Sequence, residues 1–67
     1  MAESESGAEA GSVNVVIADD HGVVRGGLRL LLQQQEDFHV IGEAEDVPGA
    51  LRLVEARRPD VLVLDLN

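Results

Sequence analysis

The sequence predicts an α/β chain of five elements, in the order β-α-β-α-β, built on a parallel sheet. Three observations carry that reading. Three short apolar runs have strand length, the two stretches between them show helical apolar spacing, and acidic residues close the first and third runs. The intervening helices, of roughly 10–13 residues, are long enough for right-handed crossovers, so the strands should run parallel.

Val13 to Ala18 (VNVVIA) is a mostly β-branched run that stops at Asp19-Asp20, and it reads as a buried strand. From Val23 to Gln35 the period changes. Val24, Leu28, Leu31 and Leu32 recur at helical spacing on the face turned to the core, whereas Arg25 and Arg29 lie four apart and read as a solvated face. Gly26 and Gly27 weaken this helix near its start, by up to ~1 kcal/mol each relative to Ala. Glu36-Asp37 closes it. Phe38 to Ala44 (FHVIGEA) follows as the second strand, with Phe38, Val40 and Ala44 on one side. Asp46 is placed to cap the second helix, and Pro48 fits its first turn. That helix runs to about Arg58, with Leu51 and Val54 inward and Leu53 at the flank, before Pro59-Asp60 breaks it. Val61 to Leu66 (VLVLDL) is the third strand and the most apolar segment, as expected where helices cover both faces of a parallel sheet.

Composition narrows the function. Residues 1–12 (MAESESGAEAGS) carry three Glu, three Ser and two Gly, too little apolar surface to offset ordering entropy, and are expected to form a disordered acidic tail. The foldable domain is then 13–67, near the size at which one core is marginal without help. With five Arg, no Lys, thirteen acids and a net charge of −8, the chain lacks the basic stripe of a nucleic-acid binder. Phe38 is the one aromatic residue, which argues against base-stacking surfaces. No apolar run approaches the ~18 residues of a membrane span. An acidic N-terminus is not a signal peptide, and no Cys is present; a cytoplasmic location is the expectation.

The chemistry lies at strand ends. In open parallel sheets ligands bind beyond the carboxyl ends of the strands, where the winding reverses. In a 2-1-3 strand order the first and third strands would be neighbours ~4.8 Å apart, and Asp19, Asp20 and Asp65 would converge. Three carboxylates together repel unless a cation neutralises them or one takes a proton. All-oxygen ligation with room for water suits Mg²⁺ better than Zn²⁺. An Asp beside Mg²⁺ is a competent nucleophile toward phosphorus.

The segments VVIADDH, VVRGGLRLLL, VIGEAED and RPDVLVLDLN resemble the receiver domain of NarL/FixJ-like response regulators in two-component systems, over Val13 to Asn67. The resemblance implies a partial flavodoxin-like, doubly wound sheet of order 2-1-3. It also implies that Asp65 accepts a phosphoryl group from the phosphohistidine of a sensor histidine kinase. Asp20 would ligate Mg²⁺ directly, Asp19 through water, and Asn67 through its backbone carbonyl. A complete receiver continues with two strands and three helices, a strand-end Ser or Thr and a strand-end Lys. This chain has no Lys or Thr, and its Ser residues lie at 4, 6 and 12. A truncated receiver is therefore expected: not a classical enzyme, unable to complete its own Mg²⁺-dependent site, and poorly folded or self-associating alone. DNA would be contacted through a helix-turn-helix beyond this segment. Gly22, where many relatives have Pro, and Val47-Pro48, in place of a polar-Gly turn, are smaller departures.

Plainer readings stand beside these. Asp at a strand end often only forms a turn or caps a helix. His21 reads as a solvated residue at the helix entrance rather than a metal ligand, and Gly22-Gly26-Gly27 does not match a dinucleotide fingerprint. A rival function is a non-catalytic interaction fragment that pairs through an uncovered third strand. A third is a Mg²⁺-dependent phosphatase or nucleotide-binding fragment, in which turnover of a phosphate ester would be seen.

Overall fold

The computed structural model describes residues 12–66. The elements are β1 (Val13–Asp19), α1 (Gly22–Gln33), β2 (Phe38–Ala44), α2 (Val47–Arg57) and β3 (Val61–Asp65). Apart from Ser12, the tail anticipated over 1–12 lies outside the described residues, and so does Asn67. No helix among the described residues is long and apolar enough to cross a membrane.

The strands form one parallel sheet in the order β2-β1-β3, the 2-1-3 arrangement. β1 is central. Its consecutive residues Val15, Val16, Ile17, Ala18 and Asp19 are all buried, as a strand covered on both faces must be. The two helices lie on opposite faces. Gly42 of β2 faces Leu53 of α2, while its chain neighbour Glu43 pairs with Arg25 and Arg29 of α1, and successive strand residues point to opposite sides. A core of Ala18, Ala44 and Ala50, with Leu53 and Leu66 packed on it, lies between the sheet and α2.

Local signals mostly act as expected. The Asp46 side chain accepts the Gly49 N–H at 2.8 Å, capping α2, and Pro48 sits in the first turn. At the other end Arg58 takes a left-handed conformation (φ 49°) and donates its N–H to the Val54 carbonyl at 2.9 Å. Asp60 then ties the entry of β3 to β1: its N–H donates to the Asn14 carbonyl, and its carboxylate accepts the Asn14 N–H, each at 2.8 Å.

Helix phase and strand burial differ from expectation. In α1 the flank carrying Arg25, Leu28, Arg29 and Leu32 meets the sheet, while Val24 and Leu31 are exposed. Of the arginines read as a solvated face, Arg25 is largely covered while the Arg29 side chain keeps 43% exposure, and Glu43 draws both toward β2, at 3.3 Å for Arg25 Nε and 3.1 Å for Arg29 Nε. In α2 the buried residue is Ala50 and the packed one Leu53, whereas Leu51 is exposed. Gly42 explains that phase, because a Cβ there would lie 3.1 Å from both Leu53 methyls. β3 is not covered as an apolar strand in a doubly faced sheet would be. Both helices pack on β1 and β2 rather than on β3, leaving Val61, Leu62 and Leu64 exposed.

Candidate functional site

The site begins with the way β1 ends. Parallel pairing puts Asp19 opposite Asp65, so the last residues of β1 and β3 are side by side at the carboxyl edge. Asp65 is exposed there, and Asp19 beside it is buried. Asp20 follows on the turn into α1, with its side chain partly exposed.

The two oxygens of Asp19 have different surroundings. Oδ1 accepts the His21 N–H at 2.8 Å, the local turn bond that Asp favours. It also lies 3.2 Å from His21 Nδ1. Oδ2 is buried and has no hydrogen-bond partner. An isolated carboxylate oxygen out of water costs several kcal/mol unless something positive or protic meets it. The turn-forming role foreseen for these acids is therefore real for one oxygen and leaves the other unexplained.

Asp19, Asp20 and His21 offer one ligand atom each within 4.8 Å of one another. Asp65 stands next to this trio through the strand register but is not within that compact set. The donors fit a hydrated divalent cation: hard carboxylate oxygens, one of them buried and unsatisfied, opening onto an exposed strand edge. His21 is solvated at the helix entrance as expected, its side chain 56% exposed, and its Nδ1 also lies 2.9 Å from Asp20 Oδ1.

Arg25 is the part of the site that sequence reasoning missed. Its Nη1 donates to the Asp19 backbone carbonyl at 2.7 Å while its Nε faces Glu43 at 3.3 Å. One side chain thus braces the turn carrying Asp19 and Asp20 against the end of β2. The available signal was Glu43, the one carboxylate inside a mostly apolar strand, with two arginines one turn apart to answer it. An open groove of about 640 Å³ near β2, lined in part by Arg25, Glu43, Asp46, Arg52, Leu53 and Arg57, contains none of Asp19, Asp20 and Asp65. The acidic residues lie at the carboxyl end of the sheet, outside that groove.

Comparison with known proteins agrees with this geometry. The family described as response regulator receiver domain matches residues 15–67. The uncharacterized transcriptional regulatory protein YhcZ of Bacillus subtilis is 47% identical over 55 residues, covering 82% of this chain and 26% of that protein. The oxygen regulatory protein NreC of Staphylococcus epidermidis is 49% identical over 55 residues, covering 82% and 25%. Among solved structures, the signal receiver domain of the putative response regulator NarL from Mycobacterium tuberculosis superposes with a TM-score of 0.78 at 42% identity, covering 81% of this chain and 44% of the other. The chain spans about a quarter of the length of these curated relatives. With the sheet order and the strand-end acids already in place, the match over residues 15–67 settles the family: the chain belongs to the response regulator receiver domains, on their NarL-like side.

Proposed function

We propose that the chain is the phospho-acceptor segment of a two-component response regulator, with Asp65 as the acceptor. The observation that carries this is the Asp19–Asp65 register, which sets an exposed carboxylate beside a buried one at the carboxyl edge of the sheet. An Asp65 oxygen attacks the phosphorus of a sensor kinase's phosphohistidine. A P–O bond forms, the P–N bond breaks, and the imidazole leaves with the electron pair and takes up a proton. Receivers do little covalent chemistry of their own; positioning and charge screening carry the reaction. Mg²⁺, when bound, supplies that screening of the phosphoryl oxygens. Asp20 and Asp65 would hold it directly and Asp19 through water. Asn67, outside the described residues, would add its backbone carbonyl. Arg25 keeps the turn bearing Asp19 and Asp20 in place.

In the parent regulator this phosphorylation would control transcription through a DNA-binding domain beyond the segment, in a cytoplasmic protein. The segment itself acts as substrate and carrier of the phosphoryl group rather than as an enzyme with turnover. Incubation with Mg²⁺ and a small phosphodonor, followed by intact mass measurement, tests the reading. A phosphoryl adduct should form and be absent in Asp65→Asn; an adduct that persists in that variant removes Asp65 from its role.

One observation favours a second reading, association through the sheet edge. β3 pairs with β1 on one side, and Val61, Leu62 and Leu64 are exposed, an arrangement that favours pairing with another strand. Sedimentation should then show a concentration-dependent oligomer that Leu64→Lys dissolves. A monomer at all concentrations rejects it.

A further inference from the structure

We infer that His21 is a nitrogen ligand of the strand-end cation site, which makes that site a mixed nitrogen–oxygen centre able to take Zn²⁺-like divalent ions as well as Mg²⁺. The inference rests on the proposed cation site and adds a donor to it.

Two features hold the ring where it is. The His21 N–H is bonded to Asp19 Oδ1 at 2.8 Å, and its carbonyl accepts the Arg25 N–H at 2.9 Å as α1 begins. The backbone is thus pinned on both sides, and although the side chain is 56% exposed, its Nδ1 is directed at the carboxylates. Nδ1 lies 2.9 Å from Asp20 Oδ1 and 3.2 Å from Asp19 Oδ1. Nitrogen and oxygen ligands bound to zinc at roughly 2.0–2.2 Å, about 90–110° apart, are separated by roughly 3.0–3.5 Å. The observed spacings are close to that range before any metal draws the donors together.

The independent observation is Asp19 Oδ2. The Asp19 side chain is 1% exposed, and this oxygen has no hydrogen-bond partner. The contacts of His21 run to the two Oδ1 atoms and leave Oδ2 unanswered, whereas a cation held by the three residues would place positive charge beside that buried carboxylate. Imidazole suits Zn²⁺ and its neighbours in the first row, and adds little for Mg²⁺, which prefers oxygen and keeps its water. The neutral ring can bind without a change of charge: the Nδ1 proton moves to Nε2, and the lone pair left on Nδ1 faces the ion. No electron transfer is involved.

Zn²⁺ outcompetes Mg²⁺ at almost any nitrogen–oxygen site, so the wild-type preference alone decides nothing. The informative quantity is the loss on His21→Gln, measured on the full 67-residue chain by calorimetric titration with each ion. Zn²⁺ affinity should fall at least about tenfold and Mg²⁺ affinity change by less than about twofold, while His39→Gln alters neither. In ¹⁵N spectra of the histidine rings, Zn²⁺ should move the His21 Nδ1 resonance to a metal-bound position. An unchanged His21 ring, or equal losses for both ions, overturns the inference. If His21→Gln keeps both affinities, the carboxylate site stands and the nitrogen ligand falls; if the wild-type chain binds neither ion, both fall together.

Discussion

Asp19 and Asp65 are register partners, each the last residue of its strand, and one is buried while the other is exposed. That asymmetry separates two tasks. In the proposed phosphotransfer the exposed carboxylate would meet the phosphodonor, and the buried one would hold charge in a low-dielectric position where a cation gains most from it.

Removing the buried charge should therefore act in opposite directions with and without metal. Asp19→Asn keeps an acceptor for the His21 N–H and turns the unsatisfied oxygen into an amide. In chelator the variant should be more stable by about 1–2 kcal/mol. Mg²⁺ at a hundredfold excess over Kd should stabilise the wild type by about 2.7 kcal/mol and the variant far less. Urea unfolding with and without Mg²⁺ reads both effects, and an equal Mg²⁺ response would exclude Asp19 from the cation site.

Arg25 links the acidic turn to the end of β2, so disturbing its partner should reach the site. Glu43→Gln leaves Arg25 and Arg29 without their counter-charge in a partly covered setting. A loss of roughly 1 kcal/mol is expected, larger than for an exposed pair. Phosphorylation of Asp65 should slow as the turn loosens. A double-mutant cycle of Arg25→Gln with Glu43→Gln measures the coupling, and additivity within about 0.3 kcal/mol would show that the two act separately.

Gly42 sets how closely α2 approaches the sheet. Gly42→Ala puts a methyl 3.1 Å from both terminal carbons of Leu53. The overpacking should cost about 1–3 kcal/mol. Leu53→Ala in the same chain should recover part of that loss, and thermal unfolding of the single and double variants would reveal a site that simply relaxes.

Arg58 ends α2 in a left-handed conformation that an L side chain adopts with strain. Arg58→Gly should stabilise the fold by about 0.5–1 kcal/mol, because glycine reaches that conformation without the Cβ clash. A drop in stability instead would show that the Arg58 side chain makes up for its backbone.

Much of this was written along the chain. Element order, the cap at Asp46, the break at Pro59-Asp60, and the placing of Asp19, Asp20 and Asp65 at strand ends follow from local periodicity and turn chemistry, which act over a few residues. The phase of each helix does not. Val24 and Leu31 share the helical period with Leu28 and Leu32, and what turned the helix was Glu43, distant in sequence, drawing Arg25 and Arg29 inward. In α2, Leu51 and Leu53 are equal candidates until the open space at Gly42 admits one of them.

The sequence by itself determined which residues stand at the tips of the strands, since an apolar run and the acid that stops it are read from neighbours. Only the tertiary structure decided that Asp19 would be buried with one oxygen unanswered, that His21 Nδ1 would lie beside the carboxylates of Asp19 and Asp20, and that the helices would pack on β1 and β2 rather than on the faces of β3. Burial and pairing depend on which segments meet across the sheet, and a one-dimensional pattern carries the propensity to be covered without naming what does the covering.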